Sequence, residues 1–278
     1  MLSGAWAHGA FLAAAIAVSF LPHVTLARES DPDESFGSGK LDLSIAVAKT
    51  TLSPFDGVLV TPKTVLVPGV YYERGNLFAG TKGDTGYDIT GVGYYLAHSP
   101  RLQLGVALSY QPGRKEAKDV RYHGLGDVAG SAETVAFAQW NPFSGRYQEL
   151  VQVYGNASRA TNHARGVIGT FGVTVGVPVT ETAHGFLDIS ANWNDSRYAR
   201  SYYGVTTAQA AASAYPAYRP GSGIAVTTVS TGIDYNIGRK WEFVWSVGKM
   251  HFVGDVGRSP VIGKPSLPTL LLLLTRHY

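Results

Sequence analysis

The chain has 278 residues, a net charge of +3 and no cysteine, and only 15% of it is charged, against about 25% in soluble domains. The missing cysteines exclude a disulfide framework, a thiolate nucleophile and a cysteine metal site. Lysine and arginine form no basic stripe with aromatics, so nucleic acid is not indicated as a partner.

Glycine (33 residues) and tyrosine (16) are abundant. The hydrophobic residues never gather into the roughly 18 consecutive apolar positions of a membrane helix. Many turn residues with dispersed hydrophobicity indicate an all-β fold.

Residues 1–27 read as a secretory signal, with an apolar core at 11–21 and small residues near Thr25 and Ala27 for cleavage. The n-region has His8 but no lysine or arginine, and a buried helix is the competing reading. Residues 28–38 are acidic, with Glu29, Asp31, Asp33 and Glu34, and form an expected periplasmic lead-in. The barrel-like remainder, 39–278, is one domain.

The first expected strand is 40–48, where Leu41, Leu43, Ile45 and Val47 alternate with Asp42, Ser44 and Ala46. That is the two-residue period of a half-buried strand. Strands follow at 66–74, 77–80, 87–97 and 101–111. The fifth is clean, with Leu102, Leu104, Val106, Leu108 and Tyr110 on one face. A less regular sixth strand covers 131–140, and a seventh with poor alternation covers 147–155, before a loop at 156–165. The eighth, 166–177, sets Val167, Phe171, Val173, Val175 and Val177 against small or polar residues. The ninth carries Leu187, Ile189, Ala191 and Trp193 on one face. After a long loop at 194–222, the tenth carries Val229, Ile233 and Tyr235, and the eleventh opens with Trp241, Phe243, Trp245 and Val247. The twelfth, 267–278, ends on Tyr278, with Arg276 as the one misfit in its apolar alternation.

The connections after odd-numbered strands include all the long ones, and those after even-numbered strands are short. Bacterial outer-membrane barrels have short periplasmic turns, longer outer loops and an even strand count. The expected fold is therefore a closed antiparallel transmembrane β-barrel of about twelve strands, with ten if the short or irregular ones fail. A soluble β-sandwich also alternates, but does not account for the loop asymmetry.

Candidate chemistry is sparse. His123, Asp127 and Ser259 supply the residue types of a hydrolytic triad, but a triad is defined by geometry. Glu181 and His184 have metal-like spacing, in an expected turn rather than on a helix. Gly124, Gly126 and Gly130 lack the strand–helix unit of a dinucleotide loop and read as turn glycines. Asn156-Ala157-Ser158 and Asn194-Asp195-Ser196 match a glycosylation pattern of little meaning in bacteria. No catalytic, cofactor-binding or metal residue is assigned. Trp140, Trp193 and Trp241 fall near strand ends, as interfacial girdle residues do, and Trp245 shares their face. Asp42, Asp88, Asp188, Asp234 and Glu242 fall on expected inward faces, to line a pore or pair with lumen arginines such as Arg101.

One set of segments carries a resemblance. Tyr198 to Thr206 reads Tyr-Ala-Arg-Ser-Tyr-Tyr-Gly-Val-Thr, followed by Ala208-Gln209-Ala210, Tyr218, Trp241, Gly254-Asp255 and Ser259-Pro260. Upstream lie Gly113-Arg114 and Gly124-Leu125-Gly126-Asp127-Val128. In that order the set resembles the MipA/OmpV family, named for the MltA-interacting protein. Tyr203 stands where that family usually has phenylalanine, and the terminal segment lacks its usual final phenylalanine. The resemblance implies an outer-membrane location and a non-enzymatic scaffold joining a murein transglycosylase to a penicillin-binding protein. It implies no catalytic residues. A narrow solute channel and a surface adhesin are the alternatives, and a barrel-embedded lipid hydrolase is a further one. The tyrosines of 194–222, with helix-forming residues at 208–212, are expected to plug the barrel mouth.

Overall fold

The computed structural model describes residues 39–50, 63–82, 89–111, 113–118, 120–143, 150–161 and 166–278. The expected signal and lead-in lie outside these residues, as does Asp88.

Twelve antiparallel strands close into one barrel, each paired with its sequence neighbours and the last with the first. They are β1 (Lys40–Thr50), β2 (Lys63–Arg74), β3 (Leu77–Lys82), β4 (Ile89–His98), β5 (Leu102–Gln111) and β6 (Ser131–Trp140). The second half comprises β7 (Val151–Ala160), β8 (Val167–Pro178), β9 (Ala183–Asn194), β10 (Gly223–Ile237), β11 (Trp241–Phe252) and β12 (Ser266–His277). Closure pairs Asp42 with His277 and Lys49 with Leu270, leaving no sheet edge. A spanning sheet must close in this way, because an open edge would leave backbone groups unpaired in hydrocarbon. The short turns at Gly75 and Gly238 are set by positive φ angles of 60° and 66°, which glycine adopts without strain.

Alternation sorts the faces. On β5 and β8 the expected apolar residues point outward, with Leu108 55% and Phe171 53% exposed, while Gln111 and Thr174 are buried inside. The four tryptophans among the described residues, Trp140, Trp193, Trp241 and Trp245, all lie on the outer wall. Arg276, the misfit in the last strand, lies over the rings of Trp241 and Tyr278 at 5.3 and 4.7 Å. There its charge reaches the periplasmic rim while its stem stays on the apolar wall.

Apart from shifts of a few residues at strand ends, three features differ from the sequence expectation. The seventh strand is Val151–Ala160, four residues later than 147–155, so Asn156 and Ser158 are strand residues rather than loop. Between Val153 and Arg159 its outward face is small (Gly155, Ala157) and its inward face holds the large Tyr154, which removes the hydrophobic contrast that marks a strand. β6 reverses the usual pattern, with Val135 and Phe137 inside and Ala132, Thr134, Ala136 and Ala138 outside. The loop 195–222 contains two helices, the unexpected α1 (Ser196–Tyr203) and α2 (Thr207–Ala212), which covers the helix-forming residues 208–212.

The lumen is a packed interior. On the β2–β6 side it is aromatic, with Phe78 at 5.0 Å from Tyr95 and 5.8 Å from Phe137 by ring centroids. His98 stacks on Tyr95 at 4.0 Å. On the β7–β9 side it is polar. Asp188, fully buried, accepts hydrogen bonds from Tyr154 and Thr174, both 2.8 Å, and Ser158 donates to Glu133.

Candidate functional site

Three outer connections fold over the mouth and lock together. The helix α1 starts where the Asp195 carboxylate accepts from the Tyr198 N–H at 2.7 Å, an N-cap. Tyr198, Ala199, Tyr202 and Tyr203 are buried, and at that spacing they share one face of the helix. That face joins the lumen core of Phe78, Tyr95, Phe137 and Phe252. The Tyr198 hydroxyl accepts from Gln111 on β5 at 3.0 Å, and burial pushes its pKa well up, so it stays neutral. The helix α2 opens with a reciprocal capping box between Thr206 and Gln209.

The connection 112–130 grips this helix pair. Arg114 is 2% exposed and donates to the carbonyl of Tyr202 at 3.0 Å, at the C-terminal end of α1. A cation there satisfies a carbonyl left over by the helix and complements its dipole. The same guanidinium reaches the Leu125 carbonyl and lies 5.6 Å from the Tyr122 ring centroid. The turn at 124–127 is held by Glu116, whose carboxylate accepts from the N–H groups of Gly124 and Gly126 at 2.8 and 3.0 Å. Gly124 has φ +80°, and a Cβ there would sit 2.1 Å from the Ala212 carbonyl, so the two connections touch backbone to backbone. Gln209 closes the contact by donating to Leu125.

The third connection starts with a helical turn, α3 (Gly254–Gly257). Asp255 accepts from the Gly221 N–H at 2.7 Å, and Tyr218 donates to the Asp255 carbonyl at 2.8 Å. Ser259 donates to the Tyr203 carbonyl at 2.6 Å. Tyr122, Leu125, Val205 and Val261 form a small apolar core under these contacts. The result is a cap whose underside, the tyrosine face of α1, fills the outer mouth.

The cap accounts for most of the residues singled out in the sequence. His123, Asp127 and Ser259 each serve a different contact. His123 lies on the surface, 3.6 Å from Glu116, Asp127 binds Lys115 and the Glu116 N–H, and Ser259 is buried against Tyr203. Glu181 sits in an exposed turn, whereas His184 belongs to β9 and faces Asp234 across the β9–β10 pair. Asp188, Asp234 and Glu242 are buried inward, as their alternation indicates. Arg101 is not a lumen residue, because it is exposed at the periplasmic rim and donates to the Pro142 carbonyl at 3.0 Å.

One cluster joins two of the expected inward carboxylates, Asp42 and Glu242, to a histidine that has no sequence signal. At the periplasmic end, His277 Nδ1 lies 2.7 Å from Asp42 and Nε2 lies 3.4 Å from Glu242. Three consecutive strands around the ring, β1, β12 and β11, supply one residue each. Only closure brings Asp42 and His277 together from opposite ends of the chain.

A family profile described as "MltA-interacting protein MipA" matches residues 57–278. No curated sequence matches the chain. Among solved structures, a NanC porin is similar at 7% identity and TM-score 0.42, covering 86% of this chain and 98% of its own. The outer membrane protein OmpT of Vibrio cholerae is similar at 8% identity and TM-score 0.36, over 90% and 100% of the two chains. A FadL homologue of Pseudomonas aeruginosa is similar at 9% identity and TM-score 0.37, over 86% and 89%.

Proposed function

From the membership of this chain in the MipA family, a protein of the bacterial outer membrane, we propose that it is a sealed, non-enzymatic barrel that anchors a periplasmic partner. The observation that carries this reading is the cap. With Tyr198, Tyr202 and Tyr203 at most 2% exposed in the mouth, the barrel wall is a platform and not an open passage. The family description, an MltA-interacting protein, supports a murein transglycosylase as the partner. A penicillin-binding protein would be the second enzyme held by such a scaffold.

A partner that acts on murein must dock on the periplasmic side. The short turns offer little area there, and a stable interface needs about 800 Å² per partner. The acidic lead-in 28–38 extends that surface, and charged segments of low hydrophobicity can order on binding. In this reading residues 1–27 are removed as a signal, which N-terminal sequencing of the membrane-extracted protein checks.

The test is capture of a purified periplasmic transglycosylase by the full mature protein and by one lacking 28–38. Weakened capture with an intact, heat-modifiable barrel supports lead-in docking. Capture by neither form overturns the scaffold reading. Equal capture by both keeps the scaffold and moves the docking surface to the turns.

A further inference from the structure

The outer wall is not uniformly convex. β5 and β8 present Leu102, Leu104, Phe171 and Val173 outward, but β6 and β7 between them present Ala132, Thr134, Ala136, Ala138, Gly155 and Ala157. The step in side-chain size leaves a groove of about 680 Å³ on the lipid-facing wall. Two hydrogen-bonded rows of residues run along it. One passes through Leu77, Tyr94, Val106, Ala136 and Ala157. The other passes through Val92, Leu108, Thr134, Arg159 and Val167.

The rows climb the wall. Leu77 follows the periplasmic turn at Gly75, whereas Val167 is the first residue of β8 after an outer connection. Each row crosses four strand spacings, about 19 Å at roughly 4.8 Å each measured across the strands, and the strand tilt turns part of that span into height. At the outer end sits Arg159, exposed, lining the groove and without an ion pair among the described residues.

We propose that this groove is a specific site for one phosphate-bearing lipid of the outer leaflet, with an acyl chain along the alanine floor and the phosphate on Arg159. An arginine fork suits phosphate bidentately, and an unpaired guanidinium against hydrocarbon is costly. A second copy of this chain does not meet that need. Among the described strand residues that face outward there is no carboxylate, so a neighbouring wall offers Arg159 no counter-charge.

The test is native mass spectrometry of the full-length protein in detergent, titrated with diphosphorylated lipid A and with the same lipid dephosphorylated. One phosphorylated lipid per barrel is expected to be retained. Arg159→Gln should weaken retention about tenfold, the loss of one charge-assisted contact, and Arg159→Lys should restore part of it. Ala136→Leu with Ala157→Leu, which fills the floor and leaves the charge in place, should abolish retention while the barrel keeps its heat-modifiable mobility. Equal retention of the dephosphorylated lipid would overturn the proposal, as would an unchanged Arg159→Gln protein. Cross-linking of two barrels through position 136, in place of lipid retention, would overturn it in favour of a second copy.

Discussion

Val173 and Thr174 are adjacent and answer to different solvents. Val173 is 40% exposed on the lipid face near the middle of β8, and Thr174 is 3% exposed and donates to Asp188. Val173→Arg places a charge near the bilayer midplane, at about 2–4 kcal/mol. Thr174→Val keeps the shape but removes one of two donors to a buried carboxylate, at about 1–3 kcal/mol. Unfolding titrations in lipid vesicles should therefore show both losses, the larger for Val173→Arg; a neutral Val173→Arg would mean that the face is not in lipid. His277 is a second residue whose worth depends on its neighbours. It separates and bonds Asp42 and Glu242 across the closing strands. His277→Ala removes the donor these two carboxylates share and leaves Asp42 only Lys40 at 3.6 Å, and loss of about 1–3 kcal/mol is expected. The loss should shrink when Asp42→Asn is added, which a double-mutant cycle measures.

At the scale of elements, the cap is a set of loops joined by a few charged contacts on its rim. The Gly221 N–H, and after it the Arg258 guanidinium, hold Asp255 below the ordinary carboxylate range. Lys115, and after it the Glu116 N–H, do the same for Asp127. A carboxylate depressed in the folded state contributes stability that is complete above its unfolded value, 3.8 here, and is lost as pH falls through the folded one. Both carboxylates are solvent-exposed, so acid should loosen the Asp255 joint between two connections and the Asp127 contacts inside 112–130, and leave the barrel standing. Pepsin cleavage within 207–222 should rise as pH drops below about 4, the ordinary carboxylate region. Asp255→Asn should show that cleavage already at higher pH and lose most of the pH dependence. An acid-insensitive cleavage pattern in the unmodified protein would refute the role given to these carboxylates.

For the whole molecule, closure and plugging decide permeation. Barrels of about 8 strands are filled by side chains and those of 16–18 leave an aqueous channel. This one, with twelve strands, is brought to the filled regime by the tyrosine face of α1 together with the Phe78–Tyr95–Phe137 cluster. The intact protein should carry little steady current in planar bilayers. Deleting 196–203 should raise conductance more than deleting 207–218, because the buried tyrosines of the mouth lie on α1 and not on α2. A large current from the intact protein would restore the channel reading.

The sequence by itself determined the wall. Alternation on β1, β5 and β8 and the unequal connection lengths are local properties, because side chains on a strand point to opposite faces at a fixed two-residue period. The period holds on β6 and β7, but its hydrophobic contrast fails, because Val135, Phe137 and Tyr154 point inward and alanines point outward, and on β7 the sequence misplaced the strand. The register of a neighbour, not propensity, fixes such a strand. The segments that carry the family resemblance were visible as turn and cap residues, among them Arg114, Gly124, Tyr202, Gln209, Asp255 and Ser259. Their meeting in one cap was not visible. It depends on barrel closure, which sets connections far apart in sequence around a single mouth. The same closure joins Asp42 to His277. Tertiary structure alone decided these contacts, because no local signal encodes which distant carbonyl or carboxylate a buried polar group will find.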